Sequence, residues 1–202
     1  MPLNQLKIPI KMNPLLNKNL FLIKEKIGIF RASNSYDIFD PETNQHIMTS
    51  KEPNLGFFTK IFRFTKYKRL TPFNVLVTEP SGKKIVNIKR GITFFRSDVE
   101  VFDEKEQLIG YFKQRFWSIG GKFEIMDKNQ KPVCTLQGKW TGWDFKFING
   151  TTELGFVNKK WAGIGKEFFT SADNYVLSID ESVLLDSVDR QLIFAAVMVI
   201  DM

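Results

Sequence analysis

The chain has 202 residues, 43% of them hydrophobic, with 20 phenylalanines and one cysteine. That much apolar material excludes global disorder, and a single thiol excludes an internal disulfide or a multi-cysteine zinc site. A net charge of +7 and a pI near 9.4 favour anionic partners: phosphate headgroups, nucleic acid or acidic protein.

Residues 1–18 carry Pro2, Pro9 and Pro14 among Asn and Lys, and read as a mobile or loosely docked leader; residues 19–202 read as one domain. The leader lacks the apolar run and cleavage site of a secretory signal, so a cytoplasmic protein is expected. A first strand lies within residues 19–30. Five times thereafter a β-prone run ends in an acidic or amide residue, crosses a few polar turn residues and leads away. The anchors are Asp40, Glu79, Asp103, Asp127 and Asn149, the last four spaced by 24, 24 and 22 residues. Regular spacing with turn signals predicts consecutive hairpins in one antiparallel sheet. The period breaks once, where residues 54–70 are inserted between the first and second hairpins. Residues 161–174 are ambiguous because Gly163 and Gly165 interrupt them, and residues 175–179 supply a last strand.

Asp180, Glu181 and Ser182 are helix-start residues, and residues 183–202 read as a helix. Its stretch 192–200 is apolar on every side. A bilayer span takes about 20 such residues, so no transmembrane span is expected and the helix belongs in a core. The fold class is therefore all-β with one central helix: a closed antiparallel barrel around a buried C-terminal α-helix. Closure also removes the sheet edges that a long meander leaves exposed.

Such a meander sorts its loops. Tight turns fall at one end with Asp40, Glu79, Asp103 and Asp127. Connectors fall at the other with Trp117, Trp140, Trp143 and Trp161, all four tryptophans of the chain. The insertion joins the connector end. It holds Lys60, Arg63, Lys66, Lys68 and Arg69 with no acid among them. On a helix, Phe57, Phe58, Ile61 and Phe62 would share a face, as in an interfacial helix. Phe57, Phe58, Lys60, Phe62, Arg63, Lys66, Lys68 and Arg69 are thus the candidate membrane- and anion-binding residues, with the cations on headgroups and the rings inserted. The competing reading makes the tryptophans a plug and the Phe face a lid packed on it. Nucleic acid would suit the same chemistry, but no module signature supports it.

No catalytic constellation stands out. His46, the only histidine, sits beside the first turn and reads as solvated. Cys134 has no histidine near it in the pattern and reads as a packed core thiol. Gly120-Gly121 is too short for a phosphate loop, and Asp103-Glu104 reads as turn chemistry. Asp173-Asn174 beside Glu167 is the one polar spot left, and local turn bonding accounts for it. Metal-ligand spacings are absent, and no cofactor is expected.

Residues 160–175, Lys-Trp-Ala-Gly-Ile-Gly-Lys-Glu-Phe-Phe-Thr-Ser-Ala-Asp-Asn-Tyr, together with the apolar helix that follows, resemble the end of the phospholipid scramblase and LURP-one-related family. Pro72-Phe73 and the hairpins up to Cys134 resemble its central part. The resemblance implies a tubby-like fold of about twelve strands around the helix, and a link to membrane phospholipids. In scramblases that link is calcium-dependent lipid movement between leaflets. Two family features are altered. Where scramblases carry an acidic, EF-hand-like segment, this chain places Ser171, Asp173, Tyr175, Val176 and Ser182 at the positions that need ligands or Gly; only Asp173 is a good oxygen donor, a weak calcium candidate. The cysteine-rich acylation stretch is replaced near residues 92–96 by Ile-Thr-Phe-Phe-Arg, which removes acyl anchors. The expectation is a non-enzymatic protein associating reversibly with anionic membranes, peripheral at the inner membrane face. The alternatives are a soluble scaffold or stress-related protein-binding module without lipid affinity, and phospholipid scrambling itself.

Overall fold

A computed structural model describes residues 12–26, 35–53, 71–91, 98–114, 123–139, 144–159 and 174–200. Twelve strands form: β1 (Leu20–Glu25), β2 (Tyr36–Phe39), β3 (His46–Lys51), β4 (Phe73–Thr78), β5 (Lys84–Arg90), β6 (Val99–Phe102), β7 (Leu108–Gln114), β8 (Phe123–Asp127), β9 (Pro132–Lys139), β10 (Asp144–Asn149), β11 (Thr152–Asn158) and β12 (Asn174–Ile179). Each pairs antiparallel with its sequence neighbours, and β1 pairs with β12, so the sheet closes into a barrel. The expected strand count and closure both hold.

The five predicted turns are β2–β3, β4–β5, β6–β7, β8–β9 and β10–β11. Four of their anchors share one device. Asp40, Glu79, Asp103 and Asp127 donate their backbone N–H across the turn to Gln45, Lys83, Gln107 and Lys131. The carboxylates of Asp103 and Asp127 each accept two backbone N–H groups at 2.8–2.9 Å, which fixes the turn. The register slips by one residue just inside all five turns, and each turn holds one residue at positive φ: Asn44, Gly82, Glu106, Gln130 or Gly150. That pairing of a left-handed residue with a bulge is the bulged hairpin of short loops.

The helix α1 (Val188–Val197) fills the bore. Strand alternation sends Phe21, Ile38, Met48, Val77, Ile125, Phe145 and Phe147 inward, all at most 0% exposed, and they join one core with Leu192, Ile193 and Phe194. Phe194 meets Phe21 with ring centroids 5.2 Å apart. Gly110 on β7 leaves room for the helix: a Cβ there would lie 2.8 Å from Leu192.

The helix starts later than residues 180–182 suggested. Asp180 instead caps a turn, its carboxylate accepting from the Ser182 N–H at 2.9 Å. Asp186 sits at φ 54, outside the helical region, and Ser187 is the N-cap, its hydroxyl accepting from the Arg190 N–H. The leader also departs from its reading over residues 12–18. Met12 and Leu16 are buried, and Pro14–Asn17 makes a 3-10 turn across the barrel mouth. Asn13 donates to Glu79 at 2.6 Å, and Lys18 meets Asp40 at 2.6 Å. This segment is a plug, because the mouth offers it apolar burial and paired charges together.

Candidate functional site

Barrel topology creates two ends. The plug, the five turns, residues 180–187 and the helix N-terminus gather at one. The strand ends that lead into residues 27–34, 54–70, 92–97, 115–122, 140–143 and 160–173 gather at the other. Phe57, Phe58, Lys60, Phe62, Arg63, Lys66, Lys68 and Arg69 lie outside the described residues, as do Asp173 and the four tryptophans.

The root of the insertion is described, and it is clasped on both sides. On the outgoing side Glu52, buried, accepts from the Asn74 N–H at 3.3 Å. On the returning side Arg90 donates to the Thr71 carbonyl oxygen at 2.7 and 3.2 Å, and its guanidinium lies 4.6 Å over the Phe73 ring. Residues 53 and 71 are therefore held just beyond the ends of the adjacent strands β3 and β4, which fixes where the insertion leaves and rejoins the barrel. Lys159 stacks 5.0 Å over Tyr175 at the same end. Lys89, near the end of β5, reaches towards the turn end: Lys84, Asn87 and Lys89 all grip Glu106, Lys89 at 3.0 Å. These donors, Lys84 first, hold the Glu106 carboxyl down at about 2.

Charge is divided between the ends. The six connections at that end, residues 26–35, 52–72, 91–98, 115–122, 140–143 and 159–173, contain thirteen Lys and Arg against four acids, Glu52, Asp98, Glu167 and Asp173. Residues 12–19, 40–45, 79–84, 103–107, 127–131, 149–153 and 180–190 contain seven Lys and Arg against twelve acids. One of those seven is Arg190, 1% exposed. Its guanidinium donates to the carbonyls of Lys18 and Val183 and to Asn19 Oδ1, and burial lowers its pKa. It ties plug, loop and helix together and adds no cation to the surface.

His46 is not simply solvated. Its Nε2 lies 3.0 Å from Thr49 Oγ1 and 3.3 Å from Asp37, its ring rests on Phe39, and Thr49 donates to Asp37. With the Thr49 proton directed at the carboxylate, the trio lacks the nucleophile–base bond of hydrolytic triads. Sequence pattern missed it because register, not spacing, brings Asp37 opposite Thr49. Cys134 is buried as expected, and its thiol is pushed up to about 12 by burial and then by Asp189. Among the described residues no cluster of three metal-ligating side chains occurs, and no helix is long and apolar enough to cross a membrane.

A twelve-stranded antiparallel barrel with its own C-terminal helix in the bore defines a tubby-like domain. The chain belongs to the Scramblase family, whose model matches residues 2–202. Phospholipid scramblase family member 5 of Homo sapiens is 22% identical over 85% of this chain and 69% of its own length. Phospholipid scramblase 2 of Homo sapiens is 21% identical over 84% of this chain, which spans 62% of that relative. Altered inheritance rate of mitochondria protein 25 of Saccharomyces cerevisiae is 23% identical over 86% of this chain and 62% of its own length. An X-ray structure of an Arabidopsis thaliana protein shares the fold at a TM-score of 0.55 and 14% identity, covering 96% of this chain and 97% of that one.

Proposed function

We propose that this protein associates reversibly with anionic phospholipid membranes through the connector end of the barrel, without catalysing a reaction. Lys60, Arg63, Lys66, Lys68 and Arg69 contact headgroups, and Phe57, Phe58 and Phe62 enter the interface. The observation that supports the reading is one of sequence and topology: the strand ends that gather at one end of the barrel flank stretches whose sequence holds thirteen Lys and Arg, four acids and all four tryptophans. Two of the relatives are named for phospholipids, which agrees with that chemistry. The helix is buried among inward-facing strand residues, which supports a peripheral association that leaves the fold intact; the cytoplasmic membrane face belongs to the same proposal. Scrambling would require the helix to leave its bore and expose the inner face of every strand.

Vesicle co-sedimentation tests the reading. Binding is expected to phosphatidylserine-containing vesicles and not to pure phosphatidylcholine. Each cation near an anionic surface contributes about 1 kcal/mol, so alanine at all five lowers partitioning by about three and a half orders of magnitude. Equal binding to both vesicle types, or full binding by the five-alanine variant, refutes it.

A further inference from the structure

The fifth turn differs from the other four in the chemistry of its anchor. Asp40, Asp103 and Asp127 hold backbone N–H groups with their carboxylates, and Glu79 accepts from Asn13 and Ser81. Asn149 stands in the same place with an amide, and among the described residues its side chain has no hydrogen-bond partner. Asn149 pairs with Thr152 at the end of the ladder, so Gly150 and Thr151 make a two-residue loop. Gly150 holds φ 59, the left-handed start that such a loop demands and that glycine adopts without steric cost. Asn149 and Gly150 are both exposed, and a Cβ at Gly150 would have nothing within 4 Å. The turn's need for glycine therefore leaves the Gly150 amide nitrogen unshielded, beside a side-chain amide that nothing restrains. Asn149 is the one asparagine of the chain followed by glycine. Asn13, Asn17, Asn19 and Asn87 are instead tied through their side chains to Glu79, Asp186, Arg190 and Glu106.

We propose that Asn149 is a self-modification site, deamidated through attack by the Gly150 backbone nitrogen and hydrolysed by solvent water to aspartate and isoaspartate. The Gly150 nitrogen bonds to Asn149 Cγ and gives up its proton. The Cγ–Nδ2 bond breaks, and the side-chain nitrogen leaves with that proton as ammonia. Water then opens the succinimide ring at either carbonyl. Opening at Cγ restores the ordinary peptide bond and leaves aspartate; opening at the main-chain carbonyl leaves a chain that runs on through Cβ and Cγ, which is isoaspartate. Ring closure takes Asn149 out of its strand conformation, and the last pair of a hairpin opens at little cost. Either product lowers the net charge by one from +7. Isoaspartate also lengthens the main chain by one carbon at the foot of the loop, whose length sets the register of β10 on β11. Phe147, buried in the core, lies on the same strand just inside that pair, so the wall is strained where it meets the core. The site shares no residue with the lipid reading.

Ageing the purified full chain in mildly alkaline and in mildly acidic buffer tests it. Isoelectric focusing is expected to show a more acidic species that accumulates faster in alkali, where the attacking nitrogen loses its proton more readily. Peptide mapping by mass spectrometry places the change at residue 149, and protein isoaspartyl methyltransferase labels the same peptide. N149Q, whose longer side chain would have to close a larger ring, removes the species, and G150A slows it severalfold. The aged chain melts below N149D, which carries the new charge without the extra carbon. An unchanged focusing pattern overturns the inference, as does an acidic species that maps to another residue or persists in N149Q. A change that appears only in urea overturns it too, because the native hairpin would then protect its amide. An aged, isoaspartate-containing chain that melts with N149D refutes the effect on strand register.

Discussion

Replacing Phe194 with Ala is expected to destabilise the protein by about 3–5 kcal/mol, the range for truncating a fully buried aromatic side chain. The magnitude follows from its setting. Phe194 is 0% exposed, midway along a helix whose residues from Arg190 to Ala196 are all buried. A barrel wall held by antiparallel ladders all the way round has little freedom to collapse into the space left behind, which favours the upper part of the range. About 0.5–1.5 kcal/mol of the loss belongs to the tilted pair with Phe21. The whole fold is worth about 5–15 kcal/mol, so a large share disappears. Urea unfolding followed by far-ultraviolet circular dichroism measures it, and a cycle of F194A, F21A and the double variant isolates the ring pair. Leu184→Ala, at an exposed site, serves as control and is expected to stay within about 0.5 kcal/mol. A loss below about 1 kcal/mol for F194A, with an unchanged denaturant slope, would refute the helix-filled bore.

Three further outcomes are expected. Gly110→Ala places a methyl against Leu192 and the Met126 carbonyl oxygen, and thermal melting should report a loss of at least about 1–3 kcal/mol. Glu106→Gln is expected to lower stability near neutrality and to flatten its fall in acid. The Glu106 carboxyl titrates at about 2 when folded against 4.5 as a free side chain, so its contribution is full above about 4.5 and vanishes as pH falls through about 2. Wild type and variant should therefore differ most near neutrality and converge in strong acid, modestly and less so in salt because the group is partly exposed. Cys134, buried with its thiol raised to about 12, should resist a thiol-reactive disulfide reagent in the native state and react fully in urea.

Architecture was legible because the turn chemistry repeats. An acid or amide that must fold back on its own backbone leaves the same signature at Asp40, Asp103 and Asp127, and the spacing does the rest. The bore-filling helix was legible from nine apolar residues, too few for a bilayer. What the sequence hid depends on contacts far apart in the chain. Residues 12–18 look like a leader until Leu16 finds the barrel mouth. Residues 180–182 look like a helix start until Asp186 takes a left-handed turn pinned by Asn17, 169 positions away. His46 looks solvated until β2–β3 pairing brings Asp37 and Thr49 beside it. At the site, only the clasp at the root of the insertion adds to what composition showed, since Glu52 and Arg90 find their partners through strand register.

The opposed charges of the two ends have a local explanation that must be weighed first. α1 enters at the acidic end, so its positive dipole terminus faces acids and its negative one points towards the basic connectors. That effect fades within a turn and is worth about 0.3–1 kcal/mol per group. It reaches Asp189, in the first helical turn, yet burial and then Asp127 raise the Asp189 pKa, so this acid is strained by its neighbours despite the dipole. Turn geometry accounts for Asp40, Asp103 and Asp127, whose carboxylates fasten backbone N–H groups. Neither cause extends to Glu42 or Glu181 at one end, or to five insertion cations carried in a single connector at the other. A use outside the barrel is what our proposal assigns to the insertion cations, contact with an anionic surface, and the vesicle assay decides it.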